Sequence, residues 1–369
     1  MEAPRPFIPG LVLGRAFFHD VAQGIVESVV PPDAYAAAFM GHGSDVLGYD
    51  SERSTDHNWG PRFQLFLSDD LHAARAEALD AELTKRLPHA FHGYPVSFSD
   101  PDPQDNGTQV PVPSDEGPVH HLVEITTIKR YLERHLGRDV RDGIGVMDWL
   151  TFPEQRLIEL TSGEVFHDPR QELARLRETL GAYPRDVWLY KMACQWQRLS
   201  QEEAFVGRCA EAGDMLGVKI TSSRIVRDLM RLCFLMERRL APYDKWLGTA
   251  FARLHCSAAV APHLKGALMG ATYAVIEENL AELYRIIAGM HNALGVTGPL
   301  DASPRHFFGR PYLVIRAERF ANALLRAIEC DDLRLLAVRM GAIDQFVDCT
   351  DYLDTVGMYA KTRELYRQG

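Results

Sequence analysis

Gly43-Ser44-Asp45-Val46-Leu47-Gly48-Tyr49-Asp50-Ser51-Glu52-Arg53-Ser54-Thr55-Asp56-His57-Asn58 joins two short apolar runs. Tyr35-Ala36-Ala37-Ala38-Phe39-Met40 precedes it with the length of a strand, and Phe63-Gln64-Leu65-Phe66-Leu67 follows it with strand-like alternation. A Gly-Ser turn opens the connection, Gly48 follows shortly after, and Asp56 stands near its end. Glycine lacks the Cβ that blocks close approach, so such a turn can present backbone N–H groups and a hydroxyl to a phosphate. A carboxylate delivered beside the turn can hold a divalent cation against the same phosphate.

Upstream, Leu11, Leu13, Phe17, Phe18, Val21, Ile25 and Val29 recur at spacings near 3.6 and predict a helix over 9–30, stopped by Pro31-Pro32. Downstream, Ser68-Asp69-Asp70 is an N-cap signal for a helix running to about Arg86. Tyr94, Val96 and Phe98 alternate and predict a strand over 92–99. An acidic, proline-rich loop then runs to Pro118, followed by a strand at 120–126 and a helix over 128–136. From about Gly145 strand signals nearly vanish and long amphipathic helices take over. Ile225, Leu229, Leu232, Cys233 and Met236 share one face, as do Ile276, Leu280, Leu283, Ile287, Met290 and Leu294. The predicted fold class is α+β. A mixed sheet with flanking helices occupies 1–142, and a helical bundle occupies 143–369, the boundary lying in the polar, glycine-rich 138–145.

With 369 residues, two domains are expected, and 46% hydrophobic with 24% charged residues describes a soluble globular chain. A net charge of −10 argues against a general nucleic-acid-binding surface. The six cysteines all lie in the second half without a Cys-x-x-Cys pair, which reads as free thiols in a reducing compartment. No signal-peptide pattern is present, and no run approaches the ~18 apolar residues of a membrane span. A cytoplasmic location and no membrane partner are expected.

The opening stretch resembles the signature of the DNA polymerase beta-like nucleotidyltransferase superfamily: Gly-Ser, a spacer, Asp-x-Asp, and a third carboxylate on a later strand. Gly43 and Ser44 match the turn, Gly48 matches a glycine common in the spacer, and Asp56 matches the first carboxylate. The strand context and the helical second half look most like the small-molecule branch, to which antibiotic nucleotidyltransferases belong. The motif spans Gly43–Asn58; the likeness in architecture extends to the first 140 or so residues. It implies a nucleoside triphosphate as substrate, two Mg²⁺ roughly 3.5–4 Å apart bridged by carboxylates, and transfer of a nucleoside monophosphate to a small acceptor held by the helical domain.

The resemblance assigns metal binding to Asp56, Asn58 and Glu124, catalysis to Asp56 and Glu124, and phosphate contacts to Gly43, Ser44, Arg62 and Lys245. Residues at i and i+2 of a strand share a face, which is how an Asp-x-Asp pair presents two carboxylates together. Here the second position is Asn58, whose neutral amide oxygen weakens a cation site, and Trp59-Gly60-Pro61 interrupts the strand expected to carry the pair. Asp50 or Glu52 can supply the missing charge or be solvated loop acids. Glu124, acidic in an apolar run, is either the third carboxylate or an edge-strand residue facing solvent. Arg62 reads as a phosphate ligand or a structural ion pair, and Lys245 as a triphosphate ligand or an exposed lysine over Trp246. Two other readings stand beside the enzyme: a nucleotide-binding or regulatory protein without turnover, and a transferase acting on a protein, as in toxin–antitoxin systems.

Overall fold

The computed structural model describes residues 6–336 and 339–366. The chain divides into two compact units, 1–142 with 156–181 and 143–155 with 182–369.

In the first unit, α1 (Gly10–Phe17) passes through a π-helical turn (Phe18–Ala22) into α2 (Gln23–Glu27). Of the predicted face, Leu13, Phe17, Phe18 and Ile25 are buried and Leu11, Val21 and Val29 half-buried. The central strand β1 (Tyr35–Phe39) is buried at every position, so the sheet is covered on both faces there. β2 (Arg62–Leu67) runs antiparallel to it, with Ala38 opposite Gln64. α3 (Asp69–Arg86) is capped by Ser68, whose Oγ accepts the Leu71 N–H at 3.3 Å. A two-residue ribbon, β3 (Ala90–Phe91) with β4 (Tyr94–Pro95), follows. β5 (Leu122–Thr127) then lies parallel to β2, completing a strand–helix–strand crossover through α3. Thr127 caps α4 (Ile128–Leu136), which Gly137 ends at φ 79°.

The chain next forms α5 (Val146–Thr151), which belongs to the second unit, and α6 (Glu154–Thr161), whose residues from Arg156 onward belong to the first. β6 (Glu164–His167) pairs with the free edge of β1, giving the order β5-β2-β1-β6, and α7 (Glu172–Leu180) closes the unit. The core joins α1 and the π turn to the sheet: Phe18 meets Phe63 edge-on at 5.3 Å.

Two local expectations change. The strand predicted over 92–99 shrinks to β4 and a single bridge from Phe98 to Pro111, since Pro95 has no N–H to extend a ladder. Past Gly145, where a helical bundle is expected, a hairpin (Arg305–Phe307 with Arg310–Val314) and the strand β6 also appear. Gly163, at φ +74°, makes β6 possible: a Cβ there would stand 1.9 Å from the Phe39 carbonyl oxygen, so only glycine lets the strand turn in against β1.

The second unit is mostly helical: α8 (Arg185–Glu202), α9 (Phe205–Glu211), α10 (Met215–Met236), α11 (Asp244–Phe251), α12 (Ser257–Met269), α13 (Tyr273–Ala293) and α14 (Glu318–Arg326), with a hairpin of β7 (Arg305–Phe307) and β8 (Arg310–Val314). The apolar faces predicted on α10 and α13 are turned inward. α8 is the central helix. Trp188 donates to the Leu235 carbonyl of α10 at 2.6 Å, and Trp196 stacks on Phe320 of α14 at 4.5 Å. The fold is therefore α+β, a four-stranded mixed sheet with flanking helices and a separate, largely helical unit. Among the described residues no helix is long and apolar enough to cross a membrane, and the six cysteines are free thiols.

Candidate functional site

The chain leaves β1 with its polar groups tied back. The Met40 N–H donates to the Gln64 side chain at 3.0 Å, and the Gly41 N–H to the Glu159 carbonyl at 2.9 Å. Arg62, the first residue of β2, spans the connection. Its Nη2 donates to both oxygens of the buried Asp45, at 2.8 and 3.0 Å, and to the His42 carbonyl at 2.9 Å. Its guanidinium also lies 4.5 Å from the centre of the Phe39 ring. Gly43, at φ +132°, is required by this arrangement, because a Cβ would come within 2.1 Å of Asp45 Oδ1. Ser44, half-exposed, follows it, and its carbonyl accepts the Tyr49 N–H at 2.8 Å to close the turn. Asp50 is structural: it accepts the Gly10 N–H at 2.7 Å and the Trp59 indole N–H at 3.0 Å.

Asp56 ends a short 3₁₀ turn (Glu52–Asp56), exposed, with Oδ1 2.9 Å from Nδ1 of His57. Asn58 has φ 47° and is bound twice to the loop residue Gln109, its Oδ1 accepting one N–H and its own N–H donating back, both at 2.8 Å. Since β2 begins at Arg62, Asp56 and Asn58 do not share a strand face. The parallel register sets Glu124 opposite Gln64 and Leu122 opposite Arg62. The i and i+2 positions beside Glu124 therefore carry Arg62 and Gln64, and Glu124 is paired with Arg134 at 2.6 Å. Asp56, Asn58 and Glu124 are thus each engaged with a different partner: His57, Gln109 and Arg134. Lys245, in the second unit, is exposed with Nζ 5.1 Å from the centre of the Trp246 ring.

Among the described residues, the metal-capable side chains that do gather are His42, His135 and Glu159, with one ligand atom from each within 4.8 Å of the others. His42 stands between Gly41 and Gly43, just past β1; His135 lies on α4 and Glu159 on α6. Arg156, one turn before Glu159, donates to Glu159 Oε2 at 2.7 Å and to His42 Nε2 at 2.6 Å. His42 Nδ1 faces Glu159 Oε1 at 3.2 Å. His135 is buried and its Nδ1–H donates to the Tyr131 carbonyl at 2.8 Å, leaving Nε2 as a lone pair without a hydrogen-bond partner. Burial pushes its pKa down to about 3, so the ring is neutral. Sequence reasoning missed this group because its members come from a turn and two separate helices. The one local signal was a histidine between two glycines at the end of an apolar run.

In the second unit a charged cluster sits beneath a recess. Glu154 accepts from Lys191 at 2.6 Å, from the Tyr183 hydroxyl at 3.2 Å and from the Ala241 N–H at 2.7 Å. Its own N–H donates to Asp344 at 3.1 Å. Burial works against the Glu154 carboxylate, and the Lys191 ammonium outweighs it, holding the group below the usual carboxylate range. Burial, with Glu154 beside it, pushes Asp344 up to about 6. The recess is small, about 60 Å³, and is lined by Gln155, Arg231, Tyr243, Asp244, Asp344 and Asp348, among others.

Residues 149–247 match a family described as a domain of unknown function, DUF4037. Among solved structures, the chain is similar to a nucleotidyltransferase-like protein from Exiguobacterium sibiricum 255-15 at 12% identity, covering 80% of this chain and 82% of that one, with a TM-score of 0.33. No curated protein matches. The matched segment takes in Glu154, Tyr183, Lys191 and Arg231, whereas Asp344 of the same cluster and Asp348 of the recess lie outside it.

Proposed function

We propose that this chain acts on a nucleoside triphosphate, moving the nucleoside monophosphate, AMP from ATP in the version to test first, onto a hydroxyl or amine of a small acceptor. The observation that supports the reading is the connection between β1 and β2. A Gly-Ser turn leaves the end of a central strand, and an acidic residue, Glu124, stands on the strand parallel to β2. In this reading Ser44 and the backbone at Gly43 hold phosphate oxygens. Asp56 and Glu124 act on the acceptor's attacking group as bases. The acceptor lies in the recess of the helical unit, a polar lining in which Asp348 and Asp244 are shared with Arg227 and Arg231 and Asp344 stands beside them, which suits an amine-bearing molecule.

The test is transfer of label from the α-phosphate of each nucleoside triphosphate to candidate amino-polyols, with pyrophosphate release, in the presence and absence of Mg²⁺. Asp56→Ala is expected to slow transfer at least about 100-fold, the range for loss of a positioned base. Equal product from that variant overturns the role of Asp56.

A second reading, nucleotide binding without turnover, is favoured by the engagement of Asn58 with Gln109, Arg62 with Asp45 and Glu124 with Arg134. Calorimetry with ATP separates the readings. Binding without pyrophosphate release supports the second, and absence of nucleotide binding removes both. Transfer that appears in Asn58→Asp identifies a weakened enzyme.

A further inference from the structure

We propose that His42, His135 and Glu159 form a binding site for a single zinc-class divalent cation, at the end of β1 and separate from the carboxylates of the Asp-x-Asn stretch. The donor set is two imidazoles and one carboxylate, which suits Zn²⁺, Co²⁺ or Mn²⁺ rather than the all-oxygen shells of Mg²⁺ or Ca²⁺.

His135 carries the inference. A buried imidazole whose Nδ1–H is fixed on a backbone carbonyl is in the tautomer and orientation of a metal ligand, with its second nitrogen presented as a lone pair. Here that nitrogen is buried among the other two donors and has no hydrogen-bond partner. A buried polar atom left unpaired is costly, and a cation satisfies it. The nearby Tyr131 hydroxyl is buried and unpartnered as well.

The geometry asks for a small closure. Ligand atoms of a tetrahedral zinc, at about 2.0–2.1 Å from the metal, stand roughly 3.3 Å apart; here they lie within 4.8 Å of one another. His42 can supply the movement, because its side chain is 63% exposed and its neighbours in sequence are Gly41 and Gly43. Arg156 already places a positive charge between His42 and Glu159. On cation binding its hydrogen bond to His42 opens. Its bond to Glu159 Oε2 remains, holding the carboxylate so that Oε1 points to the metal. Three protein ligands leave at least one position open to water or to an anionic ligand. The site stands whether or not the chain binds nucleotide.

The experiment titrates the metal-free full chain with Zn²⁺ against a chromogenic chelator, and with Co²⁺ followed by visible absorption. One equivalent is expected to bind, the Co²⁺ form showing ligand-field bands without a thiolate charge-transfer band. His42→Ala and Glu159→Gln are each expected to weaken binding at least about 100-fold, the upper range for loss of even an outer partner. His42→Ala removes an exposed side chain, and an unchanged thermal unfolding curve shows that it folds; it decides the question if Glu159→Gln does not fold. Absence of stoichiometric binding overturns the proposal. So does unchanged affinity in folded His42→Ala, or a thiolate band reporting that the cysteines hold the metal.

Discussion

The Arg62 guanidinium lies 2.8 Å from the Asp45 carboxylate, and both side chains are largely buried between the end of β1 and the start of β2. Removing one partner of such a pair leaves the other charge buried alone. Asp45→Asn is expected to destabilise the chain by about 3 kcal/mol, read as a lower urea midpoint. The double variant Asp45→Asn with Arg62→Met is expected to cost less than Asp45→Asn alone, because the stranded charge is gone.

Gly43 and Gly48 both have positive φ but different surroundings. An added Cβ at Gly43 meets Asp45 Oδ1 at 2.1 Å and Arg62 Nη2 at 2.6 Å, whereas at Gly48 it meets nothing within 4 Å. Gly48→Ala is expected to cost only the left-handed backbone penalty, about 1–2 kcal/mol. Gly43→Ala is expected to cost more and to abolish ATP binding in calorimetry. Equal stability and equal ATP affinity in the two variants would remove the turn from the phosphate site.

Lys191 and Glu154 meet at 2.6 Å with both side chains buried. Lys191→Met strands the carboxylate and is expected to cost about 3–5 kcal/mol. Adding Glu154→Gln should recover part of that loss, which unfolding of the two single variants and the double variant measures.

Glu203 gives the stability a pH dependence of known sign. Burial pushes its carboxyl up to about 7 from 4.5, although it accepts N–H groups from Ile315, Arg316 and Ala317 at 2.8–3.1 Å. Because the folded-state value is the higher one, the folded chain binds the proton more tightly. That contribution is full below pH 4.5 and is lost as pH rises through about 7. A shift of this size amounts to roughly 3 kcal/mol. Glu203→Gln should therefore show a smaller fall in melting temperature between pH 5 and 8 than the parent chain. Identical slopes would assign the dependence to other groups.

Local patterns were the legible part of the chain. The run at Ile225, Leu229 and Leu232 reports a buried helix face through its period alone, and all three are inside α10. Tyr35–Phe39 reads as a strand because its residues are apolar and its length is right. β6 was hidden: Glu164-Val165-Phe166-His167 is four residues long, half-buried throughout, and paired with β1 across a register shift. Such a strand has neither alternation nor length to announce it. At the candidate site, the family resemblance suggested Asp56 and Asn58 as partners of Glu124. Register placed Arg62 and Gln64 there instead, because the strand starts only after Pro61. His42, His135 and Glu159 share no local pattern, so only the tertiary fold brings them into view.

The late pairing of β6 also bears on how the nascent chain survives its own synthesis. Phe39 and His167 leave the ribosome several seconds to about half a minute apart at typical rates of elongation, and until then one edge of β1 has no partner. An open strand edge recruits other chains. The waiting strand is Tyr-Ala-Ala-Ala-Phe, whose short alanine side chains contribute little strand propensity of their own. That edge is covered once Gly163 turns β6 in against Phe39.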